Sequence, residues 1–87
     1  MRTELEREVR DVIAASLGVD PGLISGATCQ QDLREWTSLN HLVLLLAIES
    51  QFGVVLPMEH IGELTGVQRI VNAVEAAQSS ASVARAF

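Results

Sequence analysis

Trp36-Thr37-Ser38-Leu39 puts two hydroxyl side chains directly ahead of a long apolar run. A hydroxyl at a helix entrance has two uses. It can cap, its oxygen accepting from the unpaired backbone N–H groups of the first turn. It can also carry a covalent phosphodiester, because a helix N-terminus offers N–H donors and a partial positive charge worth about 0.3–1 kcal/mol to an anion. Local chemistry leaves both open for Ser38, and Thr37 is as good a cap as Ser38. Other reactive residues are scattered. Cys29 lies in a polar stretch with no base arranged beside it and reads as a free thiol. His41 and His60 lack metal-ligand spacing, and His41 reads as a packed or partly exposed side chain. Glu4, Glu6, Glu8 and Asp11 read as a solvated helix face. No acid–base pair or ligand cluster points to catalysis, so no catalytic residue, metal site or enzyme activity is expected.

The element behind the hydroxyls is a helix from about Ser38 to Phe52, ending near Gly53. At about 100° per residue its apolar positions sort into two stripes. Leu44, Leu45, Ile48 and Phe52, with His41 at the edge, suit a core; Leu39, Leu42, Val43 and Leu46 start beside Ser38 and face the other way. Something outside the core is expected to cover that second stripe. The alternatives are a fold in which Leu23, Leu33 or Trp36 from the preceding loop covers it, or a homodimer seam.

Before it, Thr3 with Glu6 matches a capping box, opening a helix with Leu5, Val9, Val12, Ile13 and Leu17 at helical spacing and Gly18 as its stop. Residues 19–37 form a long connection with a turn signal at Asp20-Pro21-Gly22, pinned by Leu23, Ile24, Leu33 and Trp36, with one helical turn expected near Leu23. After Gly53, Pro57 to about Leu64 reads as a short third helix. Thr65 can cap a last helix on which Val67, Ile70, Val71 and Val74 recur at 3–4 spacing. The expected fold class is all-α, with residues 1–78 as one domain and 79–87 as a flexible tail.

Composition narrows the function. The 87 residues make one domain with an aliphatic core: no Tyr, one Trp and two Phe. The net charge of −5 argues against nucleic acid and against an anionic membrane surface, both of which reward basic patches. One Cys excludes an internal disulfide, and no run of about 20 apolar residues suggests a membrane span. A cytoplasmic monomer is the default expectation.

The register along the chain then resembles a known family. Leu17-Gly18-Val19-Asp20-Pro21, Ile24, Asp32-Leu33, Trp36 through His41, Ile48 through Val54, Leu56-Pro57, Thr65, Val67 and Ile70-Val71 together resemble the acyl carrier proteins. The resemblance implies a four-helix bundle with a long first loop and a short third helix. It implies that the serine opening the second helix, here Ser38, receives 4′-phosphopantetheine from coenzyme A, and that the arm's thiol holds acyl or aminoacyl groups. Implied partners are a phosphopantetheinyl transferase, a loading enzyme and downstream synthase or transferase enzymes. They are expected to dock on the second helix, the neighbouring loop and the third helix, which here means Thr37, Leu39, Leu42, Val43, Leu46 and Ile61.

Two positions depart from that family's pattern. Thr37 stands where Asp, or His in many peptidyl carriers, usually precedes the serine; Val43 stands where an acidic residue is common. Between Trp36 and Val55 the chain has only Glu49 as a charge, so docking should depend on apolar burial more than on steering. The expected function is a carrier in polyketide, nonribosomal peptide or related specialised biosynthesis. The alternatives are a housekeeping fatty-acid carrier, or an unmodified bundle acting as an interaction module with Ser38 only as a cap.

Overall fold

Three α-helices and three short 3-10 helices make up the described part of the chain. The structure is a computed structural model that describes the backbone of residues 2–56 and 58–85, and the side chains of 3–56, 59 and 61–79. Helix α1 spans Arg2–Leu17, α2 spans Ser38–Phe52 and α3 spans Val67–Arg85. The 3-10 helices are Pro21–Leu23, Gln30–Asp32 and Met58–Glu63.

Helix α1 presents Val9, Ile13, Ala14 and Leu17 to the core at 3–4 spacing and ends at Gly18, whose φ of +71° is accessible to glycine without strain. Its start corrects the capping-box expectation. The helix already includes Arg2, so Thr3 lies inside it, and the Glu6 carboxylate accepts from the Gln68 side chain on α3 at 3.1 Å. A tertiary partner takes the group that the local motif assigns to the cap.

The long connection is held as expected by Ile24 and Trp36, both buried, and by half-buried Leu33. Leu23 is the exception among the four pins: it is 64% exposed. The turn near it is the Pro21–Leu23 3-10 helix, capped by Asp20, whose carboxylate accepts from the Gly22 N–H at 2.8 Å. The Arg10 guanidinium donates to the Ile24 carbonyl at 3.4 Å, and an antiparallel bridge joins Cys29 to Gly66. In that bridge Gln30 N–H donates to Thr65 O at 2.7 Å and Val67 N–H to Thr28 O at 3.0 Å. These bonds satisfy buried backbone in a segment with little regular structure.

Helix α2 packs against α1. It buries His41, Leu44, Leu45 and Ile48, spacings of three, one and three that keep to one face. Gly53, at φ +64°, closes it with its N–H on Glu49 O. Where the short third helix was expected, the described chain forms a 3-10 helix, Met58–Glu63, so among the described residues there are three α-helices rather than four. Six residues that include Gly62 cannot amortise the cost of nucleating an α-helix, and short 3-10 pieces are the common outcome. The Pro57 start expected for it lies outside the described residues. Helix α3 begins one residue later than a Thr65 cap would place it, buries Val67, Ile70, Val71 and Val74, and continues to Arg85, so the backbone of the stretch expected as a tail is helical to that point.

Candidate functional site

The segment ahead of α2 is stitched to its first turn. Trp36 N–H donates to Leu33 O at 3.1 Å and Thr37 N–H to Glu35 O at 3.0 Å. The Asn40 side chain donates to the same Glu35 carbonyl at 2.8 Å. The Thr37 hydroxyl accepts from Asn40 N–H at 3.1 Å, and Thr37 O accepts from His41 N–H at 2.8 Å. Thr37 has extended backbone angles (φ −79°, ψ 171°) and is therefore the N-cap.

That assignment decides what Ser38 is not. Ser38 is the first residue inside α2, it is exposed, and its hydroxyl makes no hydrogen bond among the described residues. The reading of Ser38 as the cap is thereby corrected: the neighbouring threonine does that work. What remains is an exposed primary hydroxyl, without a partner among the described residues, at the N-terminus of a 15-residue helix. Those donors and the helix field suit the phosphate of a covalent phosphodiester.

Beyond the serine, the second stripe of α2 lies open. Leu39 is 70% exposed, Leu42 39%, Val43 44% and Leu46 49%. The loop does not cover it: Leu23 is itself exposed, Leu33 packs on the core and Trp36 is buried within it. Thr37 is exposed at the head of this face, and Ile61 is half-buried against the core. The face carries no charge, since no Asp, Glu, Lys or Arg occurs between Trp36 and Ile48. Glu49 is turned to another task, its carboxylate accepting from Leu56 N–H at 2.7 Å and tying down the chain after the helix.

The residues flanking the serine make a polar connection that sequence pattern did not reveal. Trp36 Nε1–H donates to His41 Nδ1 at 2.9 Å, and His41 Nε2 meets Ile61 O at 2.9 Å. The two rings sit 6.0 Å apart, tilted by 39°. The separations of 5 and 20 residues follow no helical or strand period, so only the folded chain displays them. The Cys29 thiol is half-buried, within 3.6 Å of Ala27 O, and sits away from this region on the bridge to Gly66. Among the described residues no group of three His, Cys, Asp or Glu is placed to hold a metal, and no helix is long and apolar enough to cross a membrane.

No protein-family model matches the chain. Over 72 residues, however, it is 32% identical to an acyl carrier protein of Thermosynechococcus vestitus, a stretch that covers 82% of this chain and 88% of that protein. The chain belongs to the acyl carrier protein family. For a member of that family, the all-helical architecture and the exposed hydroxyl at the entrance of α2 are mutually consistent, and the kinship supports a carrier role. It also gives the open α2 face a context, because carriers serve enzymes that must find them.

Proposed function

We propose that the chain is an acyl or aminoacyl carrier that holds biosynthetic intermediates as thioesters on a 4′-phosphopantetheine arm attached to Ser38. One observation carries the reading: Thr37 takes the capping role, so the Ser38 hydroxyl is exposed and uncommitted at the start of α2. The residues fit the group. Ser38 would supply the oxygen for the phosphodiester, and the partial positive charge at the N-terminus of α2 would favour its negative charge. When bound, the arm supplies a terminal thiol to which an acyl group is tethered, replacing a diffusing substrate with one at high local concentration. The chain's own contribution is to stay folded, hold Ser38 out, and be recognised.

On this reading residues 1–78 are the carrier domain, and Met58–Glu63 stands as the third helix of a four-helix carrier bundle. Partners are a phosphopantetheinyl transferase, a loading enzyme and downstream synthase or transferase enzymes. They dock through Thr37, Leu39, Leu42, Val43 and Leu46 with Ile61 at the margin. The uncharged character of that face favours specialised metabolism, polyketide or nonribosomal peptide assembly, over a carrier steered by acidic residues to basic enzymes.

The test is an intact mass after incubation of the purified chain with coenzyme A and a broad-specificity phosphopantetheinyl transferase. One added arm, absent from Ser38→Ala, is the expected result. An unchanged mass under conditions that load a control carrier overturns the proposal and leaves a carrier-like interaction module.

A further inference from the structure

His41 is out of place chemically. The other wholly buried positions of α2 are Leu44, Leu45 and Ile48, yet this core-facing site holds an imidazole buried to 6% exposure. An aliphatic side chain fills such a position without needing partners; an imidazole needs one at each nitrogen. Both are present, and together they fix its state. The Trp36 indole is only a donor, so His41 Nδ1 must offer a lone pair. The Ile61 carbonyl is only an acceptor, so His41 Nε2 must carry the hydrogen. Leu64 N–H also donates to that carbonyl, at 3.2 Å, which uses its second lone pair. Only the neutral Nε2–H tautomer satisfies the whole chain of contacts.

We propose that His41 is a positioning residue. Bonded at one nitrogen to the segment ahead of Ser38 and at the other to the 3-10 helix Met58–Glu63, it fixes that helix and Ile61 relative to the attachment serine. It thereby sets how tightly an enzyme that touches both elements binds the carrier. This rests on the reading of Ser38 as the attachment point. The placement supports it: Trp36 lies two residues before Ser38 and His41 three after, so both ends of the first turn are anchored while Ser38 stays exposed. Fully satisfied buried polar contacts impose a geometry that apolar packing leaves adjustable.

Two variants divide the contacts. In His41→Asn the side-chain oxygen takes the place of Nδ1, keeping the acceptor for Trp36 and losing the reach to Ile61. In His41→Gln the longer amide places an N–H donor near Nε2, keeping the tie to Ile61 and losing the Trp36 acceptor. Each drops one hydrogen bond, so thermal melting is measured beside the kinetics of arm transfer from coenzyme A. The expected result is a KM for the carrier raised about tenfold in His41→Asn and held within about twofold in His41→Gln, with kcat little changed in either. Equal KM values in the two variants, the reverse order, or KM following the melting temperatures alone overturns the positioning role.

Nitrogen-15 NMR of the wild-type imidazole supplies a readout that needs no variant and no enzyme. A protonated Nε2 with a bare Nδ1 is expected, and an Nδ1–H tautomer overturns the proposal even where a variant fails to fold. If the wild-type chain takes no arm while a control carrier does, the attachment reading falls and the positioning role with it. That failure is distinct from a wrong tautomer or from matching KM values in a chain that is loaded.

Discussion

Thr37 and Ser38 divide the helix entrance between them, and the division can be measured. The Thr37 oxygen satisfies Asn40 N–H, whereas the Ser38 hydroxyl bonds to nothing described. Thr37→Ala should therefore lower stability by about 1 kcal/mol, the usual effect of losing a cap. Ser38→Ala should change it by less than about 0.5 kcal/mol, as surface substitutions do. Urea unfolding reads both, and the reverse order would put the cap on the serine. Thr37→Asp keeps a capping oxygen and adds a negative charge at the positive end of α2, worth about 0.3–1 kcal/mol. It should also raise the initial rate of arm attachment, restoring the charge common in the family; an unchanged rate would mean that Thr37 already suits the transferase. Which of two adjacent hydroxyls caps was not legible in the sequence. Both residues are good caps, and helix boundaries read from pattern carry an uncertainty of one or two residues.

At the scale of the element, α2 works because its two apolar faces have different fates. Ile48 is wholly buried, so Ile48→Ala should cost about 2–5 kcal/mol through lost burial and the cavity left behind. Val43→Glu and Leu46→Glu lie on the open face and should shift stability by no more than about 0.5 kcal/mol. The same two changes should reduce transfer to partner enzymes, and wild-type transfer should vary little with added salt because no charge lies on this face. Circular dichroism checks the fold and a transfer assay the docking; an unfolded Leu46→Glu would mean that the stripe belongs to the core. This helix was legible from Thr37-Ser38 to Gly53 because cap, period and stop agree locally. The start of α1 was not, since Glu6 serves Gln68, 62 residues away, and no local pattern encodes that. His41 was legible as a packed side chain at the edge of the core stripe, but its hydrogen-bond partners were not, because they sit 5 and 20 residues off.

At the scale of the whole molecule, the question is whether the long connection is an appendage or part of the core. The Cα radius of gyration, 12.6 Å, is close to the roughly 12 Å expected of a folded domain of this length, so the connection is not splayed outward. Ile24 and Trp36 are buried within the same cluster as Ile13, Leu44 and Val71, and the Cys29–Gly66 bridge ties the connection to the start of α3. A chain of 87 residues has on the order of 5 kcal/mol of stability, so one large side chain in that cluster decides much of it. Ile24→Ala should remove about 2–5 kcal/mol, while Leu23→Ala next to it, on an exposed side chain, should remove less than about 0.5 kcal/mol. Trp36 fluorescence reports the connection and far-ultraviolet circular dichroism the helices. If the connection is core, both signals change at one urea midpoint in the wild type and shift together in Ile24→Ala. A fluorescence transition that precedes the helical one would show the segment ahead of Ser38 opening on its own. Ser38, the proposed attachment point, would then follow a separately melting loop rather than a segment the whole fold holds in place.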